Sequence, residues 1–412
     1  MTEEPQTVSE EPQVVPLLEP RGGTPAVTDS AASYKRVCQE YVAATGPVAV
    51  DAERASGYRY GQRAYLVQLN RAGAGIALLD PVALPDLGEL NAALGAATWV
   101  VHSASGDLPG LAEVGLVPQR LFDTELAARL LGWPRVGLSA VVARVFGYGL
   151  AKEHSAVDWS TRPLPEDWLQ YAALDVDLLL ELHEYLAAEL AEQGKTEWAE
   201  QEFEHLRTME PPTIAEPWRR TSGVHMVRDL RGLAVVRALW QSRDELAREL
   251  DQAPGRVLPD SAIVSAAQAK PRSVADLIAL PVFGGRANRR RAGRWLAAVL
   301  EGLQTDELPK QRRRNPDSYP PPRTWTKRDP EAADRLTRSR AFLAELAKRT
   351  AVPVENLLQP DLLRRLAWEA PADVADTLLA WGARPWQVEL VATELTQVMG
   401  KNSGARPQSK RG

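Results

Sequence analysis

One short stretch limits what this chain can become. From Gly46 to Glu53 a Gly-Pro turn runs into the apolar segment Val48 to Val50 and ends on two acids, Asp51 and Glu53. The turn signal and the β-branched residues predict a buried strand. Strand side chains alternate faces, so Asp51 and Glu53 aim both carboxylates at one place on a sheet edge. Like charges held together are costly unless water or cations screen them. A pair of oxygen-liganded divalent ions gives such acids a use, although for an isolated Asp-x-Glu two solvated side chains are commoner. The rest of the sequence decides between the two.

Around this strand the pattern is that of an α/β domain with a mixed sheet. A helix is expected over Ala32 to Thr45, then strands Val48 to Glu53, Ala64 to Asn70 and Gly75 to Asp80, joined by short Gly-bearing links. A helix over Asp86 to Leu94 and an apolar strand, Thr98 to His102, follow, with a helix from Asp107 to Val114. Phe122 to Thr124 is a short strand capping a helix from Glu125 to Gly132, and Ser139 is a candidate N-cap. Pro165 to Leu190 reads as one long amphipathic helix. Asp107 lies where a helix follows a central strand, so its carboxylate can return to the same sheet edge. An acid there also simply offsets the macrodipole. Tyr171 and Asp175, four apart, share one helical face. Read plainly they are a packing aromatic and a solvated acid.

At 412 residues the chain should hold two or three domains. The single Cys38 excludes an internal disulfide or a Cys-based zinc cluster, and five scattered histidines form no zinc motif. No apolar run is long enough to span a bilayer. Residues 1–30 are acidic and rich in Pro and Thr, without the basic and apolar regions of a signal peptide; a disordered leader and a reducing, cytoplasmic setting are expected. The net charge of −5 conceals an asymmetry. Residues 31–205 carry about 13 basic and about 24 acidic groups, residues 224–305 about 13 and about 8. Arg286, Arg289, Arg290, Arg291 and Arg294 cluster in the basic half, and Lys310, Arg312, Arg313 and Arg314 follow. An acidic front joined to a basic back suits a metal-dependent enzyme with a phosphate-binding annex.

Asp51, Glu53, Asp107 and Asp175, in this order on strand, strand, post-strand helix and late helix, resemble the DEDD exonuclease superfamily. The Tyr171–Asp175 spacing resembles its tyrosine-bearing branch, DEDDy. Val50 to Glu53, Tyr65 to Leu69, Leu79 to Pro81, His102 with Asp107 and Leu108, Phe122 to Thr124, Asp158 with Trp159, and Arg162 to Leu164 together look like ribonuclease D, over about residues 35–205. Arg54 departs from it, since many relatives carry an apolar or aromatic residue there. The resemblance implies a ribonuclease H-like exonuclease domain (31–208) that binds two divalent ions, Mg²⁺ or Mn²⁺, through the four acids and releases nucleoside 5′-monophosphates. In that scheme Asp51 bridges the ions, Glu53 and Asp175 complete the water-activating site, and Asp107 holds the second ion through water. Tyr171 orients the attacking water. Gln68 and His102 are candidate contacts to the chain end, although structural hydrogen bonds explain them as well.

After a linker over 209–223, residues 224–305 look like an HRDC domain, a helical nucleic-acid-binding module, whose last helix opens with the arginine cluster. Its expected helices are Leu233 to Leu250, Asp260 to Gln268 behind Pro259, Ser273 to Ala279 and Arg286 to Leu303. A Pro/Arg-rich linker (306–330) leads to a second, divergent HRDC-like domain (331–400), because Pro360-Asp361 and Val374 to Asp376 echo Pro259-Asp260 and Val274 to Asp276. This copy lacks the arginine cluster and carries Trp381 and Trp386, for packing or for stacking on bases. A basic tail (401–412) is expected to be disordered. The resulting expectation is a 3′→5′ exoribonuclease acting on RNA with an unpaired 3′ end, such as tRNA precursors, with no membrane and no obligate protein partner. Two competing readings are a DNA exonuclease of repair, which shares the same acids, and a nucleic-acid-binding protein with a vestigial site.

Overall fold

The computed structural model describes residues 14–150, 154, 156–210, 214–310 and 319–400; the tail, Arg312, Arg313, Arg314 and residues 1–13 of the expected leader lie outside them. A six-stranded mixed sheet organises the first half. Its order is β2 (Val27–Thr28), β5 (Gly75–Leu79), β4 (Ala64–Arg71), β3 (Val48–Arg54), β6 (Thr98–Val101) and β7 (Arg120–Asp123). β3 pairs antiparallel with β4 and parallel with β6, which places it centrally. Val48, Ala49 and Val50 have no solvent exposure, as a strand covered on both faces requires. The helices flanking the sheet include α1 (Ala31–Ala43), α2 (Gly88–Leu94), α3 (Leu108–Glu113), α4 (Thr124–Leu130) and α5 (Leu138–Phe146). They continue with α6 (Glu166–Asp177), α7 (Leu179–Glu192) and α8 (Thr196–Thr208).

Several expectations are corrected. Residues 14–30 were expected to be disordered, yet they contain β2 and β1 (Val15–Leu17), the latter paired with β8 (Tyr148–Leu150). Arg21 helps to fix this segment: it ion-pairs with Asp177 and Glu181 at 3.1 and 2.7 Å. Ser139 is not an N-cap; Gly137 holds that position and Ser139 lies within the first turn of α5. The expected long helix is two, broken at Leu178. Asn70 Nδ2 donates to Val176 O at 3.1 Å and Arg21 donates to Asp177 O at 2.7 Å. These side chains satisfy carbonyls at the end of α6, so the helix can turn there without leaving buried acceptors orphaned.

The second half is helical, and its two units share one plan. The helix Leu230–Leu250 and the helix Pro330–Thr350 have 21 residues each, and both end on a left-handed residue, Asp251 or Ala351. Four-residue helices follow, Pro254–Val257 and Val354–Leu357, then ten-residue helices, Asp260–Ala269 and Pro360–Glu369. The matching lengths and caps carry the internal repeat from sequence into structure. The expected helix Arg286 to Leu303 is interrupted at Arg291, giving Arg286–Arg290 and Ala292–Gln304.

The two units differ in how they dock. The first has its own core, with Trp218, Trp295 and Phe283 buried in it. The second shares one continuous core with the sheet domain, through Trp325, Leu343, Leu366 and Trp386. Trp386 stacks on Trp198 of α8 with centroids 5.0 Å apart, so this tryptophan packs rather than offering a face to a base. Gly132, just past α4, has φ +76° and lies so close to Ala351 that a Cβ would meet its carbonyl oxygen at 2.0 Å. Only glycine meets both demands.

Candidate active site

β3 delivers Asp51 and Glu53, α6 delivers Tyr171 and Asp175, and Asp107 stands at the N-terminus of α3. All five line one cavity of about 330 Å³. Asp107 makes no capping hydrogen bond to its helix, so a capping role does not account for it. One carboxylate oxygen from each of Asp51, Glu53 and Asp175 lies within 4.8 Å of the others. Asp107 stands apart from this trio, with Oδ1 3.8 Å from Arg54 Nε.

These acids are held where their charges are costly. Burial pushes Asp51 up to about 6. Burial, then repulsion from Asp51, Asp175 and Asp107, pushes Glu53 up to about 10. Burial and Asp51 push Asp107 up to about 8, and burial followed by Asp51 holds Asp175 well above the usual carboxylate range. A cluster of hard oxygen donors so short of positive charge fits divalent cations such as Mg²⁺ or Mn²⁺. It fits zinc poorly, since neither Cys nor His belongs to the trio.

Metal-free protein should therefore lose stability as pH rises. Between pH 5 and 9 the unfolded acids are already ionised, while the folded protein retains protons on the raised groups. Their contribution is present below the unfolded values and is lost as pH climbs through about 6, 8 and 10. Thermal melts in EDTA should fall by several degrees from pH 6 to 9, on the order of 3 kcal/mol, and saturating Mg²⁺ should flatten the slope. A flat or rising profile in EDTA would contradict this picture of the cavity.

Tyr171 is held firmly as a phenol: burial first, then Asp175, Glu53 and Asp51, push its pKa upward. His102 also lines the cavity, and burial lowers it to about 4, so it is neutral. Its Nδ1 lies 2.8 Å from Thr124 Oγ1.

Gln68 is placed differently. It pairs in register with Asp51 but is wholly buried in β4 and does not line the cavity. Nucleic acid cannot reach it there, and both its amide atoms lack partners. Arg294 is also diverted: it donates to Ser242 at 3.1 Å and ion-pairs with Glu245 and Glu249. Arg286, Arg289 and Arg290 are exposed and Arg291 is half-buried. The cavity residue that strand periodicity misses is Arg54. Alternation puts it, with Ala52, on the face opposite Glu53, yet the cavity opens at the end of β3 and both residues line it.

The chain resembles known proteins over both its sheet domain and its helical units. Residues 25–191 match the family model described as 3′-5′ exonuclease, and residues 232–299 match the HRDC domain. Residues 318–399 match a separate model, the 3′ to 5′ exonuclease C-terminal domain. Ribonuclease D of Jannaschia sp. (strain CCS1) is 35% identical over 305 residues, covering 70% of this chain and 76% of that protein. A crystal structure of a protein from Bifidobacterium adolescentis aligns with a TM-score of 0.88 at 41% identity, over 94% of this chain and 99% of that one. Escherichia coli RNase D, an exoribonuclease involved in structured RNA processing, aligns with a TM-score of 0.68 at 25% identity, over 91% and 98%.

Proposed function

This chain belongs to the ribonuclease D family, and we propose how this 3′→5′ exoribonuclease uses its cavity and on which RNAs. The observation that carries the reading is the trio of half-buried carboxylates gathered with Tyr171 in one cavity. Asp51, Glu53 and Asp175 would hold one divalent ion, and Asp107 would hold a second together with Asp51. Bound Mg²⁺ or Mn²⁺ supplies charge neutralisation at the phosphate and makes water more acidic. Tyr171, kept protonated, orients the attacking water by donating its one hydrogen bond to it. Water adds to phosphorus while the bond to the 3′ oxygen of the shortened chain breaks, so a nucleoside 5′-monophosphate leaves. His102, neutral and braced by Thr124, shapes the wall without adding charge.

RNAs with short unpaired 3′ ends, tRNA precursors among them, suit a cavity of this size, which admits a terminal nucleotide but no duplex. Arg286, Arg289 and Arg290 on the first helical unit would hold the phosphates upstream. A reducing, cytoplasmic setting is in keeping with the free, buried Cys38, and among the described residues no helix is long and apolar enough to cross a membrane.

The test is a 5′-labelled RNA with a short unpaired 3′ tail, incubated with Mg²⁺ or Mn²⁺ beside matched DNA and an EDTA control. A metal-dependent ladder shrinking from the RNA 3′ end is expected. Preferential trimming of the DNA would move the protein to repair, and binding without trimming would leave a vestigial site. Tyr171→Phe should lower kcat about 10²-fold with little change in KM, because the water loses its orienting donor. Changing Arg286, Arg289 and Arg290 together to Ala should weaken RNA binding at every sequence. It should also shallow the salt dependence by about one unit of slope per lost phosphate contact.

A further inference from the structure

The active-site cavity contains a fixed cation. Arg54 follows Glu53 directly at the end of β3, where the β3–β4 register slips, and both residues line the cavity. Its Nη1 donates to Gln62 Oε1 at 3.1 Å. Gly106 makes room for the other arm, since a Cβ there would stand 3.3 Å from Nη2. The loop carrying Gln62 is itself held by the first helical unit: Ala253 N donates to Tyr58 O at 2.9 Å and Arg256 Nε to Gly57 O at 2.6 Å. The guanidinium is thus aimed into the cavity on the side of Asp107. Its contact there, 3.8 Å from Nε to Oδ1, is an ion pair too long to be a hydrogen bond, and so readily exchanged.

We propose that Arg54 is a resident cation of the cavity, partnering Asp107 until nucleic acid and metal arrive and then contacting the 3′-terminal phosphodiester. The proposal rests on the exoribonuclease reading above. Four carboxylates balance two divalent ions, which leaves the charge of the incoming phosphodiester unmatched. One further cation at the cavity wall matches it. A planar guanidinium is well suited to the exchange, because its fork meets either a carboxylate or two phosphate oxygens. While Arg54 faces Asp107 it also opposes a second divalent ion there, so the two ions should bind unequally in the absence of RNA.

The experiment compares wild type, Arg54→Gln and Arg54→Lys. Mn²⁺ binding is followed by electron paramagnetic resonance without nucleic acid. Wild type should show one tighter and one weaker Mn²⁺, and Arg54→Gln should bind the weaker one about tenfold more tightly, with Arg54→Lys near wild type. Unchanged or weakened binding in Arg54→Gln would overturn the partnership with Asp107. RNA binding is then measured with an ordinary 3′-terminal linkage and with an uncharged methylphosphonate in its place. Arg54→Gln should lose about tenfold for the ordinary linkage and less than twofold for the neutral one. Equal losses would overturn the phosphate contact. Failure of the wild type to trim RNA would instead defeat the exoribonuclease reading, while the Mn²⁺ titration would still decide what Arg54 does to Asp107.

Discussion

Asp51→Asn should lower the single-turnover rate of 3′ trimming by about 10³-fold or more, while making the metal-free protein more stable at pH 8. The activity loss follows from where Asp51 stands. It belongs to the carboxylate trio, and its charge raises Glu53, Asp107 and Asp175 together. Asparagine keeps the shape and one oxygen but removes the charge that would share in holding metal. Ions at such sites supply several kcal/mol of transition-state stabilisation, which corresponds to about three powers of ten in rate. The stability gain follows from the same crowding, since a buried acid repelling three others opposes folding whenever no cation is present. The signature is therefore double. Mg²⁺-induced stabilisation should shrink while the melting temperature in EDTA rises. A variant that lost activity and melted lower in EDTA would indicate a damaged fold instead of a lost ligand. A variant that kept its rate would remove Asp51 from the catalytic set.

The site was readable from sequence to the extent that local periodicity determines side-chain direction. Asp51 and Glu53, two apart on a strand, and Tyr171 and Asp175, four apart on a helix, keep their relations in the folded chain. The α/β layout with two helical units after it was likewise written in apolar patterning and in repeated Pro-Asp marks. What failed depended on partners distant in sequence. Asn70 and Arg21 end a helix whose own residues give no stop signal, so one expected helix became two. Gln68, a candidate contact to the chain end for which a structural hydrogen bond was an equal reading, does neither: it is wholly buried in β4 and its amide has no partner. Arg294 looked like a member of a phosphate-binding cluster until Glu245 and Glu249, about fifty residues earlier, folded against it. Arg54 falls opposite Glu53 by alternation, yet the cavity opens at the end of β3 and takes in residues of both faces, Ala52 and Arg54 among them.

Glu202→Ala should destabilise the protein by about 3–5 kcal/mol, the range for removing one partner of a buried ion pair. Glu202 sits in α8 and Arg384 in the second helical unit, and both are almost wholly buried. Arg384 Nε donates to Glu202 Oε1 at 2.6 Å, and the same oxygen accepts from Trp386 Nε1 at 2.9 Å. Removing the carboxylate leaves Arg384 Nε and the Trp386 indole N–H without an acceptor in the seam that joins the two domains, while Arg384 Nη1 keeps only the Gly382 carbonyl, at 3.2 Å. The double variant Glu202→Leu with Arg384→Leu should recover much of the loss, because no charge is then buried alone. Denaturant unfolding would read both effects, and limited proteolysis would locate them. In Glu202→Ala the first cuts should fall in the second helical unit, leaving the sheet domain. The first helical unit has its own core and meets the sheet domain through the loop after β3, so it should stay resistant in the same digest. Destabilisation below about 1 kcal/mol would put this pair in the class of exposed ion pairs and leave the Trp198–Trp386 stack and the shared apolar core to hold the seam.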